Sequence, residues 1–161
     1  MYLVYEGIFI MNYTFIDDGS YFTLYIDGKR TQSKLNYNIY NNELKIEDIC
    51  SDSNLPHTGT ELIIQFLKQH KQNHIIFSRI YGRLSSADAK QGNWNNSISF
   101  FKNLPTYIQS EISLSYEFHL YYDNKRNIEI TSCYDKEECT ALLISEHSYT
   151  NSDMVFDLFL I

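Results

Sequence analysis

The sequence has no run of basic residues, no CxxC motif and no apolar stretch of the roughly 18 residues a membrane helix needs. Each absence removes a class of function. The formal net charge is −7. Without a basic stripe to meet phosphates, that charge argues against a non-specific nucleic-acid binder, and it is compatible with a basic partner or a positively charged substrate. There are three cysteines, Cys50, Cys133 and Cys139. They lack the Cys/His clustering a zinc site requires, so they read as reduced thiols of a cytosolic protein and no metal is expected. The opening MYLVYEGIFIM has no basic n-region or small-residue cleavage site, and Glu6 interrupts it. It reads as a strand rather than a signal peptide. The expectation is a soluble, cytoplasmic protein that contacts neither membrane nor nucleic acid directly. No repeat and no low-complexity linker divides the chain.

What is present favours a sheet. At 161 residues the chain is long enough for one domain with a real core. Fourteen Tyr and ten Phe push it toward strands. Tyr2–Tyr13 is rich in Tyr, Val, Ile and Phe, and Asp17-Asp18-Gly19-Ser20 then turns. Tyr21–Ile26 is a strand, and Asp27-Gly28 is a hairpin signal because both positions tolerate positive φ. Lys34–Tyr40 sets Leu35, Tyr37 and Ile39 against polar neighbours, the period of a half-buried strand. Asn41-Asn42 turns again, and Glu43–Cys50 is the next strand.

The pattern changes after that meander. A polar turn carries Pro56 and Gly59, and Glu61–Lys71 repeats apolar residues at 62, 63, 66 and 67, so it is a helix. Ile75–Leu84 reads as a strand, which makes a parallel or splayed βαβ unit. Ser85–Asn93 is a loop. Asn95–Leu104 is a second helix that Pro105 is expected to end. Tyr107–Tyr122 reads as a long strand turning at Asp123-Asn124, with Asn127–Cys133 as its hairpin partner. Asp135–Ile144 is a helix, and Asp153–Ile161 is a closing strand that completes its own sheet or pairs with another copy as a homodimer. The expected fold class is α/β, with a mixed, mostly antiparallel central sheet and flanking helices.

Strand, tight turn and helix start, in that order, aim unpaired N–H groups outward, a physical site for an anion. The run Asn54-Leu55-Pro56-His57-Thr58-Gly59 before Thr60-Glu61-Leu62-Ile63 resembles the Q/R-x-x-G-x-G/A turn of the GCN5-related N-acetyltransferase (GNAT) superfamily. Ile80-Tyr81-Gly82-Arg83-Leu84-Ser85 with Asp88 is similar to that family's next strand and loop. Phe100-Phe101-Lys102-Asn103-Leu104-Pro105-Thr106 stands where the family often has F-Y-x-x-L-G-F. The element order matches over roughly residues 20–130.

The resemblance implies one GNAT-like domain over 1–161, with an extra helix and strand at about 135–161. It implies acetyl-CoA as co-substrate, its pyrophosphate on His57, Thr58, Gly59 and Thr60. The pantetheine arm would lie along Glu47–Cys50 and Ser78–Ile80, between the splayed strands, with Asn93, Asn95 or Asn96 on its amides and Cys50 at the strand end. Direct acetyl transfer to an amine needs a base and a proton donor for the thiolate. Glu47, on the strand before the turn, is the candidate base, set against a solvated strand charge. The family's acid tyrosine is Phe101 here, which has no proton to give, so Tyr107 is the candidate acid among tyrosines that sheet packing otherwise explains. The acceptor would be a small-molecule amine, a protein lysine or an N-terminus. His57 adds a Cβ and Pro56 removes an N–H within the motif. Those departures keep an alternative open: a GNAT-like scaffold without catalysis that binds a basic protein partner as inhibitor or regulator.

Overall fold

A computed structural model of the chain describes residues 2–5, 9–55, 58–84, 94–124, 130–133 and 152–161, with side chains over 12–55, 58–83, 99–120 and 155–161. Two compact units divide it, Met1–Tyr40 with Ile46–Ile76, and Asn41–Lys45 with Phe77–Ile161. The class is α/β: among the described strands most pairings are antiparallel and one is parallel, and helices pack on strands.

The first unit is a meander. β1 (Tyr2–Tyr5), β2 (Phe9–Asp17), β3 (Tyr21–Ile26) and β4 (Lys29–Tyr40) pair antiparallel in sequence order. The turns form where short polar residues allow it. Asp18 Oδ1 accepts the N–H of Ser20 (2.9 Å) and Tyr21 (2.7 Å), which holds the Asp18 carboxyl below its ordinary range. Asp27 (φ 50°) and Gly28 (φ 78°) both take positive φ, as the primed hairpin turn requires. Asn41 (φ 47°) and Asn42 (φ 65°) repeat that geometry, because a short amide side chain tolerates the left-handed region. The opening MYLVYEGIFIM, expected as a strand, carries β1 and the start of β2.

β5 (Glu43–Cys50) ends the meander, and α1 (Thr58–Gln72) follows. The buried face of α1 is Leu62, Ile63, Ile64, Phe66 and Leu67. The Phe66 ring lies edge-on to Phe22 (5.3 Å) and Tyr37 (4.6 Å), joining helix to sheet. Burying that ring contributes about 1.5–3 kcal/mol. Glu61 in the first turn and His70 and Lys71 in the last complement the helix dipole.

In the second unit the start of β5 runs parallel to β6 (Arg79–Leu84), with Glu43 opposite Arg79, Leu44 opposite Ile80 and Lys45 opposite Tyr81. β6 also pairs antiparallel with β9 (Ser152–Leu160). β9 pairs in turn with β7 (Tyr116–Asn124), and β7 with β8 (Ile130–Cys133). The last described strand therefore lies inside the sheet of its own chain. Asp123 and Asn124, expected as a turn, belong to β7.

The second helix departs most from expectation. α2 runs Trp94–Ile112 through Pro105, not to Leu104. Proline removes one N–H to the carbonyl four residues back. Phe101, Leu104, Ile108 and Ile112, at helical spacing, are all buried, and the burial gained on continuing outweighs that single bond. The Phe101 ring stacks on Phe156 at 3.5 Å. Ser113, at φ 60°, ends the helix, its N–H donating to Gln109 O (3.1 Å). The segment Tyr107–Ile112, expected as strand, is helix for the same reason, and β7 starts only at Tyr116. Asp135–Ile144 lies outside the described residues.

Phe156 and Asp157 point to opposite faces of β9. On the face away from α2, Asp157 is 3% exposed. Arg79 donates to Asp157 Oδ1 from Nε (2.7 Å) and Nη2 (2.6 Å), reaches Glu43 at 3.7 Å, and lies over the Tyr81 ring at 4.0 Å. Burial raises the Asp157 carboxyl above its ordinary range, and Arg79 and His119 offset part of the rise.

Candidate functional site

The turn between β5 and α1 is held by a bulge in β4. Thr23 pairs with Lys34 but Tyr25 pairs with Arg30, so Thr31–Ser33 bulge out of the β3–β4 register. The bulge re-aims three groups. Thr31 Oγ1 donates to Leu24 O (2.7 Å), the N–H of Ser33 donates to Thr31 Oγ1 (3.1 Å), and the N–H of Gln32 donates to Asp52 Oδ2 (2.9 Å).

Ser33, fully buried, is the hub. Its Oγ accepts the N–H of Asp52 (2.8 Å) and lies 2.6 Å from Thr58 Oγ1. Thr58 Oγ1 donates to Leu55 O (3.2 Å), so the proton between the two hydroxyls belongs to Ser33. The chain of donors runs from Asp52 N–H through Ser33 and Thr58 to Leu55 O, and every member is satisfied. Asp52 Oδ1 takes the N–H of Asn54 (3.0 Å). The two backbone bonds, from Gln32 first and Asn54 second, hold its carboxyl below the ordinary range. The turn and the first residue of α1 are thereby fixed to one strand.

The expected binding residues fall unevenly on this frame. Thr58 is N-terminal in α1 and half-buried, Gly59 is buried, and Thr60 is half-buried. Helix geometry leaves the first-turn N–H groups without intrahelical partners, so Thr58–Glu61 offer donors to a phosphate. Among the described residues 51–55 and 58–61, however, the charged side chains are Asp52 and Glu61, both anionic. Pro56, His57 and Asn93 lie outside the described residues, as do the side chains of Asn95 and Asn96 within α2.

Glu47 is exposed on β5, where Asn38 Nδ2 donates to its Oε1 (2.9 Å). Cys50 is half-buried with Sγ 3.3 Å from Asp48 Oδ2. Burial first, then the bond to Asp48 and its charge, raise the thiol above its ordinary value, against a smaller pull from Lys34. That keeps it protonated and unsuited to nucleophilic attack. Tyr107 is 50% exposed on α2. It lies six residues past Phe101, about 240° around the helix at roughly 100° per residue, so it does not share the face of the residue it was expected to replace.

The N–H of Ser78 donates to Asn42 O (3.1 Å), and Arg79 and Ile80 pair with Glu43 and Leu44. The other edge of β6 is bonded to β9. Residues 79 and 80 are thus interior to a sheet, because a parallel strand takes its partner at the beginning of β5 rather than its end. Sequence reasoning also missed Ser33 and Asp52. Ser33 shares its parity with Leu35 and Tyr37, a sign that it faces the core, and Asp52-Ser53-Asn54 carries an Asx-turn pattern. Among the described residues no group of three His, Cys, Asp or Glu could hold a metal, and no described helix is long and apolar enough to cross a membrane.

No protein-family model and no curated protein matches the chain. Solved structures similar to it include a Bacillus anthracis protein provisionally named a streptothricin acetyltransferase, in complex with acetyl coenzyme A. The two are 12% identical, with a TM-score of 0.48, over 88% of this chain and 61% of that one. Another is the diaminobutyrate acetyltransferase of Paenibacillus lautus in complex with L-2,4-diaminobutyric acid and coenzyme A, 11% identical, TM-score 0.46, over 88% and 70%. A nourseothricin acetyltransferase is 14% identical, TM-score 0.43, over 91% and 69%. This chain spans less than two thirds of the length of the first, and likeness of this size bears on neither activity nor ligand.

Proposed function

We propose that the protein is a GNAT-type N-acetyltransferase that uses acetyl-CoA to acetylate an amine. The observation that carries the reading is the strand–turn–helix of β5 and α1. There a bulged strand and a chain of hydroxyls fix a helix start, in the run that resembles the family's pyrophosphate motif. The residues fit that co-substrate in part. Thr58, Gly59 and Thr60 offer N–H groups and hydroxyls, while Asp52 and Glu61 oppose an anion. When bound, acetyl-CoA would supply the activated acetyl group. In this reading the Thr58–Thr60 donors would hold its pyrophosphate, and Glu47, oriented by Asn38, would take the proton from the acceptor ammonium so that the amine could attack. The departing thiolate would take its proton from solvent, since Tyr107 does not share the face of Phe101. The acceptor class is a small-molecule amine, with a protein lysine or N-terminus as the other possibility, and the site of action is the cytoplasm.

A second reading rests on a specific observation. Phe101 stands where the family's acid belongs, and its ring is 6% exposed and stacked in the core against Phe156. A side chain committed to packing suits a scaffold without catalysis that engages a basic protein. Thiol release from acetyl-CoA, screened against diamines, aminoglycosides and lysine peptides, separates the two. The enzyme reading expects turnover that falls at least about 100-fold in Glu47→Gln, the usual worth of a general base. Binding of CoA without thiol release for every amine would favour the scaffold. Turnover unaffected by Glu47→Gln would remove Glu47 as the base.

A further inference from the structure

We draw no further inference here: the strongest candidate, the cluster of Glu43, Arg79, His119 and Asp157 on the face of the second unit's sheet away from α2, matches its charges against one another, and nothing in the structure points to a ligand or partner that it would take.

Discussion

Replacing Ser33 by alanine should loosen the turn before α1 without touching an exposed atom. Ser33 is fully buried, and its Oγ makes two bonds, from Asp52 N–H at 2.8 Å and with Thr58 Oγ1 at 2.6 Å. A net hydrogen bond contributes about 1 kcal/mol. Asp52 is only half-buried, so its freed N–H can recruit water, which limits the loss. The expected cost is about 1–2 kcal/mol, a urea midpoint lowered by roughly 0.5–1 M. Hydrogen exchange should localise the effect: amides of Asp52, Asn54 and Thr58–Glu61 lose protection while those of β6, β7 and β9 keep theirs. Thr58→Val should cost about as much, because it too removes two bonds, the inter-hydroxyl bond and the bond to Leu55 O, and Thr58→Ser should restore wild-type exchange. A Ser33→Ala protein within about 0.5 kcal/mol of wild type, with unchanged exchange at the turn, would refute the hydroxyl chain as what fixes it.

Two further outcomes concern the other unit. Arg79→Met leaves the Asp157 carboxylate buried without its cation, and should cost about 3 kcal/mol in urea unfolding. Asp157→Asn removes the charge and should cost less, so the reverse order would contradict the pairing. The pH dependence follows from the raised Asp157 carboxyl. In the folded state it binds its proton more readily than in the unfolded chain. Asp157 therefore adds stability as pH falls through its folded pKa, and that gain is complete below the unfolded value. Asp18 and Asp52, both lowered, behave oppositely and lose their contributions as pH falls through their folded values. Carboxyl carbon titration by NMR should place Asp157 above both, and an Asp157 midpoint at or below theirs would overturn the assignment.

Local chemistry made much of the first unit readable. Asp27-Gly28 and Asn41-Asn42 have the only kinds of side chain that sit easily at positive φ, so the turns and the strands between them followed. The α1 stripe at 62, 63, 66 and 67 matched the face that packs on Phe22 and Tyr37. Elsewhere long-range packing overrode local signals. Pro105 is a helix breaker by propensity, but the alignment of Phe101, Leu104, Ile108 and Ile112 against β7 and β9 carries the helix past it. The place of β9 between β6 and β7 depends on partners some 40 and 75 residues away, which no periodicity encodes. At the candidate site, the turn and helix start were legible as a motif. The bulge that grips them was not, because the polar Thr31-Gln32-Ser33 run precedes the strand expected from Lys34 and its register against β3 is not encoded locally.

The most direct measurement is an NMR titration of the amide-labelled protein with coenzyme A. A pyrophosphate held at the start of α1 predicts saturable shifts at Thr58, Gly59, Thr60 and Glu61. It also predicts thermal stabilisation growing as RT ln(1 + [L]/Kd), about 2.7 kcal/mol at 100 times Kd, with Ser33→Ala binding more weakly. No saturable shift at millimolar coenzyme A, or saturable shifts that leave those four amides unmoved, would contradict it.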